Sequence, residues 1–465
     1  MKYFKNINTS VIHFVGIGGI GMSGIAELMI KLGYVVQGSD ISNNLSIEKL
    51  IKNKIRVFFK HESKNIKNAN VVVYSSAIKK NNPELIAAKK KSIPIVSRAD
   101  MLAELMRTKQ SIAIAGSHGK TTTTSLVGTM LQDCNMDPTI VNGGIINSFS
   151  SNYRFGLSQL MVVEADESDG SFLKLPHEIN IITNIDPEHM EYYKSFKSLF
   201  RAFQKFASNI PIYGVSIICI ENINSKQLAL NIKNRNIITY GINKKQADLN
   251  ITNIIFKKKY SYFEVELKKN RFFKYKQKYK FKLKLFGKHN ILNSTASLAV
   301  GLHLKIPIIK IKNSFSNFEG VKRRFSLIGR KNHAYIYDDY AHHPEEIKAT
   351  LEISKLINKN KVIIVFQPHR YSRTKFLYNE FIRILSKIDI LYVCDIYSAG
   401  EKQIKNLNSL KIVNDLKIKG SKNVFYVKNS NNLKYLLEKY FHSNNAIIFM
   451  GAGTISQFAK DIMVK

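Results

Sequence analysis

The residues with the clearest chemical meaning are the seven of 116–122, which read GSHGKTT. An apolar segment precedes them and a helical pattern begins at Lys120, so the sequence predicts a strand, a glycine turn and a helix. In that setting backbone amides surround phosphates, the Lys120 ammonium contacts the outer phosphates, and the Thr121 hydroxyl can bind magnesium. Only Ser117 and His118 separate the two glycines, where the common P-loop has four residues. The loop predicts a nucleotide-phosphate site, and a threonine-rich helix cap with an incidental lysine is the alternative.

A run of carboxylates follows the next apolar segment, in VVEADESDGSF. Glu164 stands at the carboxyl end of that segment, the edge at which open α/β sheets bind ligands. A carboxylate there can hold the magnesium that bridges the ATP phosphates. His189 follows a further apolar segment, in INIITNIDPEHM, and can ligate a metal or hold a phosphoryl group. The alternatives are a solvated acidic loop and a structural histidine.

A second glycine turn, GIGGIG, follows the first apolar segment and opens a helical pattern. Gly16, Gly18 and Gly21, together with Asp40 after the next apolar segment, match the dinucleotide fingerprint. Backbone amides at such a helix start favour a diphosphate, whichever nucleoside carries it. The turn therefore predicts a diphosphate site without selecting NAD, and a tight turn without a ligand is the alternative.

The later motifs are FGKHNILNSTAS, VKRRF, YDDYAHHP and FQPHRYSRT. Asn290 and Asn293 stand three apart at a predicted helix start, where their amides would read an adenine edge or cap the helix. Arginine forks suit carboxylates and phosphates, although each arginine could also form an ordinary surface ion pair. The remaining candidates are Arg323, Arg324, Asp339, His342, His343, Arg370 and Arg373.

The elements that must position these residues alternate between apolar strands and helical patterns, which predicts an α/β protein with parallel sheets. The predicted strands include VIHFV, VVVYS, LMVVEA, INIITNI, VSIICI, AYIYDDY, KVIIVFQP, IDILYVCDI, NVFYV and AIIFM. We expect three domains, at 1–108, 109–319 and 320–465. Between about Leu249 and Leu285 the period becomes two, which predicts antiparallel strands with lysines on a solvated face. A phosphate-tracking surface is the alternative for those lysines.

Composition sets further limits. The net charge of +37 comes mostly from lysines spread along the chain, which identifies no nucleic-acid partner by itself. Cys134, Cys219 and Cys394 lie far apart, so neither a disulfide framework nor a zinc site is indicated, and a reducing compartment fits. The apolar stretch 11–30 contains glycines and a glutamate, and we interpret it as a strand and a glycine turn instead of a signal sequence.

Taken in order, these motifs resemble those of the Mur ligase family. The resemblance runs through GIGGIGMSGIAE, AELMR, GSHGKTTTT, EADESDGSFL, TNIDPEHM, GKHNILN, RRF, DDYAHHP, FQPHRYSRT, YSAGE and the closing GAG. It implies a Rossmann-like UDP-binding N-terminal domain, and a central P-loop ATPase domain with a mostly parallel sheet and a small antiparallel sheet. It implies as well a Rossmann-like, amino-acid-binding C-terminal domain that would close over both. It also implies amide formation between UDP-N-acetylmuramate and L-alanine in cytoplasmic peptidoglycan precursor synthesis, with ATP and Mg2+ as cofactors.

The resemblance assigns a role to each candidate residue. The ATP phosphates would be bound by Gly116, Ser117, His118, Gly119, Lys120, Thr121 and Thr122, and adenine by Asn290 and Asn293. A first magnesium would be held by Thr121 and Glu164, and a second by Glu164 and His189. The UDP-substrate would be bound by Gly16, Gly18, Gly19, Gly21, Asp40, Ser75 and Ser76. Arg324 and Asp339 would lie at the ATP end of the closing domain, and alanine would be bound by His342, Arg370 and Arg373.

Three positions depart from the family pattern, and three other functions stay open. Ser117 stands where threonine is usual, Glu188 where aspartate is common, and Ala341 where glycine is usual, so a left-handed backbone at Ala341 would be strained. A related recycling ligase, which takes a whole tripeptide, ranks second. An NAD-dependent dehydrogenase and a nucleic-acid-binding ATPase leave most motifs without a role. We expect no nucleic-acid or membrane partner, and a monomer or a weak homodimer.

Overall fold

The computed structural model describes five stretches of the chain, 10–75, 77–257, 260–357, 360–428 and 430–463. Their residues form two units. The first unit takes its residues from Met1–Ile255, Ser261–Leu285 and Asn290–Glu319. The second takes its residues from Phe256–Tyr260, Phe286–His289 and Gly320–Lys465. The first unit contains two separate sheets, and the predicted division at 108/109 falls between them and stays a prediction.

The first sheet is built from short apolar strands joined by helices. Its strands are β1 Val11–Val15, β2 Val35–Ser39, β3 Arg56–Phe58, β4 Val71–Tyr74 and β5 Ile95–Ser97. Its helices are α1 Ile20–Lys31, α2 Leu45–Lys52, α3 Pro83–Lys90 and α4 Arg98–Met106. The order β3-β2-β1-β4-β5 is parallel throughout, as predicted. Because the order reverses at β1, the loop after β1 lies at the switch point where such sheets bind ligands.

The second sheet has ten described strands in the order β15-β14-β13-β12-β11-β10-β6-β9-β7-β8. They are β6 Gln110–Ala115, β7 Thr139–Ile146, β8 Ser151–Arg154, β9 Leu160–Glu164, β10 Ile179–Ile182, β11 Val215–Cys219, β12 Ile237–Ile242, β13 Leu249–Lys257, β14 Tyr260–Leu267 and β15 Gln277–Leu283. The helices are α5 Lys120–Asp133, α6 Met190–Tyr193, α7 Phe196–Ser208, α8 Ile223–Asn231, α9 Lys288–His303 and α10 Ile308–Asn317. Strands β13 to β7 pair in parallel, whereas β14 and β15 form the predicted antiparallel part. On β15, Phe281 and Leu283 are buried while Lys278 and Lys280 are exposed and face Glu264, which agrees with a solvated lysine face.

The third sheet belongs to the second unit and has the order β16-β17-β21-β18-β19-β20. Its strands are β16 Ser326–Lys331, β17 Ala334–Asp339, β18 Val362–Phe366, β19 Ile390–Cys394, β20 Val424–Val427 and β21 Ala446–Met450. The helices are α11 Pro344–Ile357, α12 Tyr371–Phe376, α13 Tyr378–Leu385, α14 Ser409–Ile418, α15 Ser430–Glu438 and α16 Ile455–Met463. Only the edge pair β16–β17 is antiparallel among the described pairings. Ile364 and Phe366 enter one apolar cluster and Ile363 and Val365 the other, so helices cover both faces, and the predicted α/β fold class is confirmed.

One apolar cluster joins the two sheets of the first unit. It contains Phe14 of β1, Ala113 of β6 and Phe203 of α7. A polar contact adds to it, because the Tyr153 hydroxyl donates to Glu27 on α1 while the Lys49 ammonium lies 3.3 Å from the same carboxylate. These contacts hold the glycine turn after β1 in a defined position relative to the strands of the second sheet.

The cysteines and the helices give two further findings. Cys134, Cys219 and Cys394 are buried and unpaired, and burial raises the pKa of Cys219 and of Cys394 to about 12, so these two thiols are unreactive. None of the helices in the described chain combines the length and the apolar composition that crossing a membrane requires.

Candidate functional site

The glycine turn after β1 is held by the ends of its neighbouring strands. Gly16, at φ +79°, adopts a left-handed backbone, and its amide donates to the carbonyl of Ser39 at the end of β2. The Gly18 amide donates to Asp40 Oδ2 at 2.9 Å, and Ser75 packs beside Gly16. Gly19 caps α1 and Gly21 is its second residue; Ser76 lies outside the described residues. The structure therefore brings the described members of this predicted set together, with Asp40 supporting the loop.

The second glycine turn joins β6 to α5, as predicted. Gly116 has φ +139°, and a Cβ built on it would stand 2.0 Å from Thr183 Oγ1, so only glycine fits. The loop is supported from behind by the residues after β10: Asn184 Oδ1 accepts from the His118 amide at 2.8 Å, and Ser117 Oγ accepts from the Asp186 amide at 2.8 Å. The serine at position 117 thus makes the hydrogen bond that fixes the loop.

Lys120 opens α5 and folds back over the loop. Its ammonium donates to the Gly116 carbonyl at 2.6 Å and to Glu167 Oε1 at 2.8 Å. Burial alone would lower the pKa of Lys120, but the carboxylates of Glu167, Asp166 and Glu188 together raise it, so the lysine is charged. Burial raises the pKa of Glu167 to about 8 against the attraction of Lys120.

Glu164, at the carboxyl end of β9, lies beside the start of α5. The Thr121 hydroxyl donates to Glu164 Oε1 at 3.1 Å, and the Gly143 amide donates to Glu164 Oε2 at 2.7 Å. Thr122 is also buried, in the first turn of the same helix. A hydroxyl and a carboxylate this close together form a pair of hard oxygen donors, which suits a magnesium ion.

His189 caps the short helix α6 with a left-handed backbone at φ +57°. Its Nε2 lies 3.8 Å from Glu167 Oε1 and 4.0 Å from Glu188 Oε2, and these three residues are close enough to hold one metal ion. Glu167 Oε2 is buried and has no hydrogen-bond partner among the described residues, which fits an acceptor of a cation. Burial lowers the pKa of His189, so its ring is neutral and able to ligate. His189 thus lies with Glu167 and Glu188, whereas Glu164 lies with Thr121.

Asn290 and Asn293 lie inside α9, which begins at Lys288, so the alternative of a helix cap at Asn290 is wrong. Asn293 is buried, and its Oδ1 lies 2.8 Å from the place where a Cβ on Gly119 would stand. Its amide nitrogen donates to Asn290 Oδ1 at 3.4 Å. The pair is therefore beside the phosphate loop, since Gly119 is the last residue before α5.

In the second unit, Asp339 ends β17 and accepts from the amides of Ala341 at 2.7 Å and Phe325 at 2.9 Å. Burial raises the pKa of Asp339 to about 6. Glu346, which the sequence did not single out, lies 3.6 Å from Arg324 Nη1 and 3.2 Å from His342 Nδ1. The glutamate thus links two predicted site residues.

The prediction of a strained, left-handed backbone at Ala341 is wrong. Ala341 is not among the described residues with positive φ; its side chain is buried in an apolar cluster, and its amide binds Asp339. The positive φ values of this region fall instead at Arg323, Phe325 and Arg370.

A second histidine completes the cluster of His342, Arg370 and Arg373. The His369 ring lies 5.7 Å from the His342 ring and stacks on Tyr397 at 5.5 Å, while Arg373 Nη1 donates to His369 Nδ1 at 3.2 Å. Burial and the neighbouring cations lower the pKa of His369 to about 3, so this ring is neutral. Arg370 is fixed by its amide, which donates to the Tyr397 carbonyl at 2.8 Å. The sequence signal that could have found His369 is its place in FQPHRYSRT, and for Tyr397 it is its place in YSAGE.

Comparison with known proteins gives matches along nearly the whole chain. Residues 11–110 match the Mur ligase family catalytic domain, 114–301 the Mur ligase middle domain, and 323–453 the Mur ligase glutamate ligase domain. UDP-N-acetylmuramate–L-alanine ligase of Rickettsia bellii is 46% identical over 99% of this chain and 97% of its own length. The ligase of that name in Methylorubrum extorquens is also 46% identical, over 96% of both chains. The crystal structure of the UDP-N-acetylmuramate–alanine ligase of Thermotoga maritima, 29% identical, superposes with a TM-score of 0.82 over 97% of this chain and 98% of that one.

Proposed function

The chain belongs to the Mur ligase family, and from this premise we propose that it joins L-alanine to the lactyl carboxylate of UDP-N-acetylmuramate. The products are UDP-N-acetylmuramoyl-L-alanine, ADP and phosphate, and the reaction belongs to peptidoglycan precursor synthesis. The observation that carries the proposal is the 46% sequence identity, along nearly the whole chain, with ligases whose names state this activity.

ATP is needed because a free carboxylate is a poor acyl donor. Phosphorylation of the lactyl carboxylate by the γ-phosphate gives an acyl phosphate and ADP, and the uncharged amine of alanine then attacks the acyl carbon. The C–N bond forms as the C–O bond to phosphate breaks, and the amine loses its proton. Phosphate is thus the leaving group where oxide would otherwise have to leave.

Lys120 and the loop 116–122 would hold the ATP phosphates in this reaction. The Lys120 ammonium is charged and already lies against loop carbonyls, so exchanging them for phosphate oxygens requires only a short movement of a flexible side chain. Asn290 and Asn293, beside Gly119, would contact the adenine. Gly16, Gly18, Gly19, Gly21, Asp40, Ser75 and Ser76 would bind the UDP part, with the amino end of α1 directed at the diphosphate.

We assign magnesium to Thr121 and Glu164, and a second ion to Glu164 and His189. The oxygen pair of Thr121 and Glu164 supports the first assignment. The neutral ring of His189 supports its own part in the second, although the carboxylates that lie beside this ring are those of Glu167 and Glu188 and not that of Glu164. The ions would neutralise the negative charge that develops on the phosphates. Lys120 adds its own positive charge from the protein side.

The second unit would bind alanine. Arg370 and Arg373 offer guanidinium groups that suit a carboxylate. His342 belongs to the same cluster because the His369 ring contacts both the His342 ring and Arg373. Because His369 is neutral, it adds no positive charge that would repel the alanine ammonium. Arg324 and Asp339 would act at the ATP end of this unit.

We also propose that the enzyme works in the cytoplasm as a monomer or weak homodimer, without a nucleic-acid or membrane partner. Three buried, unpaired cysteines support a reducing compartment.

The proposal is tested by ADP and phosphate release from purified protein with ATP, magnesium and UDP-N-acetylmuramate, with L-alanine, the tripeptide, D-glutamate or no acceptor. We expect turnover with L-alanine and a product of the matching mass. Turnover with the tripeptide alone would identify a recycling ligase instead. A folded sample that binds ATP but shows no acceptor-dependent release would contradict ligase activity.

A further inference from the structure

Arg98 lies against the first turn of the helix that follows the glycine turn. It is the first residue of α4, and a Cβ built on Gly21 would stand 3.0 Å from Arg98 Nη1 and 3.3 Å from Arg98 Cδ. Gly21 is the second residue of α1 and the third glycine of the fingerprint, a position whose usual explanation is close packing of helix and strand. In this chain the group that occupies the space beside Gly21 is the guanidinium of Arg98.

The surroundings of Arg98 leave its charge unbalanced. The side chain is half-buried, and no carboxylate in the described stretches forms an ion pair with it. Asp100, two residues further along α4, is bound by Lys174 at 2.8 Å. The guanidinium also lies near the amino ends of α1 and α4, where both helix dipoles disfavour a cation. An anion bound beside Arg98 would therefore be stabilised by its charge.

We propose that Arg98 binds the diphosphate of the UDP-sugar, and that Gly21 is glycine because it leaves room for the guanidinium. The inference rests on the proposed function, since it takes the glycine turn as the site of UDP-N-acetylmuramate. The planar fork of arginine matches two phosphate oxygens at once and adds a full positive charge beside the amino end of α1. The spacing of SRADML does not indicate this role, because Arg98 follows a different strand from the glycines.

The long-range charge of Arg98 reaches the acidic loop after β9 as well. Burial opposes ionisation of Asp166, but Lys120 and, more weakly, Arg98 lower its pKa. Arg98 could therefore have a purely structural role, in which it balances the charge of Asp166. The experiment must distinguish this role from diphosphate binding.

The test is steady-state kinetics of the full chain carrying Arg98→Gln, with Arg107→Gln as the matched control. Arg107 lies just after α4, is exposed and pairs only with the neighbouring Glu104 at 3.2 Å among the described residues. We expect Arg98→Gln to raise KM for UDP-N-acetylmuramate by about 10- to 100-fold, because one charge-assisted bidentate contact is lost. KM for ATP should stay unchanged in both variants, and Arg98→Lys should recover part of the loss.

Gly21→Ala provides a second, independent variant. Its methyl group would displace the guanidinium, so KM for UDP-N-acetylmuramate should rise, and combining it with Arg98→Gln should add little. The inference is overturned if Arg98→Gln leaves KM for UDP-N-acetylmuramate unchanged, or raises KM for ATP alone, as a role through Asp166 requires. A wild-type protein without UDP-N-acetylmuramate-dependent turnover would instead refute the proposed function, and calorimetric binding of UDP to wild type and Arg98→Gln would then decide the role of Arg98.

Discussion

At the scale of single residues, Lys120 is the group whose loss should affect chemistry most and folding least. We predict that Lys120→Ala lowers turnover by about a hundredfold or more, since a preorganised charge at the transferring phosphate is removed. The remaining partner, Glu167, has a pKa raised by burial to about 8, so it can take up a proton near neutral pH and tolerate the loss of the lysine. ADP release and a thermal melt measure the two effects. The exposed Lys90→Ala is the control, and near-normal ligation by Lys120→Ala would contradict the assignment.

Which residues of the candidate site could be predicted depended on whether their signal was local. Lys120 and Glu164 follow apolar strands within recognisable motifs, so their positions at the sheet edge were predictable. Glu167 stands in the acidic run, but its role could not be predicted, because only the fold shows that its carboxylate lies near Lys120 and His189. Glu346 carried no signal, since its link between Arg324 and His342 depends on the turn from β17 into α11.

At the scale of elements, the phosphate loop depends on one close approach between Gly116 and the strand end at Thr183. We predict that Gly116→Ala lowers ATP-dependent turnover at least tenfold, on the order of 1–3 kcal/mol of strain, because the methyl group collides with Thr183 Oγ1 and φ is +139°. Gly420→Ala is the matched control, since Gly420 also has positive φ, +95°, but nothing lies within 4 Å of its Cβ position. Equal effects of the two substitutions on turnover would show that backbone strain, and not the collision, matters.

The helix α7 packs on a buried histidine whose titration should appear in stability. His177 Nδ1 lies 2.8 Å from the Leu175 carbonyl, its ring packs on Phe206, and burial lowers its pKa. The folded state therefore holds fewer protons than the unfolded state, so the stabilisation present above about pH 6.5 is lost as pH falls. We predict that the unfolding free energy decreases less steeply with falling pH in His177→Gln than in the wild type. Denaturant unfolding at several pH values tests this, with the exposed His333→Gln expected to keep the wild-type slope.

Most of the long apolar strands were predictable, whereas several short or polar strands were missed. The strands of the third sheet match their apolar segments except β16, whose exposed and half-buried residues give no apolar run. β3 has only three residues, and β7 contains the NGG sequence that ordinarily marks a turn. Sheet pairing supplies the hydrogen bonds of these strands, so neighbouring strands decide their conformation more than their own composition does.

At the scale of the whole molecule, the net charge of +37 should produce a general positive electrostatic potential and not a binding site for a specific partner. On β15, the lysines face Glu264 and Glu266, which lowers the local excess of charge. We predict that DNA or RNA leaves alanine-dependent ADP release unchanged at an ionic strength of about 0.15 M. Stimulation of ATP hydrolysis by nucleic acid, with a steep salt dependence, would contradict this and favour a nucleic-acid-dependent ATPase.

In the proposed reaction the enzyme activates the lactyl carboxylate as an acyl phosphate and transfers the acyl group to alanine. The most direct measurement uses UDP-N-acetylmuramate with heavy oxygen in that carboxylate, followed by mass spectrometry of the product and of the released phosphate. We expect an alanyl product that keeps one heavy oxygen and a phosphate that has gained the other, because the C–O bond to the transferred phosphoryl group is the one that breaks. Release of unlabelled phosphate, or label in phosphate without an alanyl product, would contradict it.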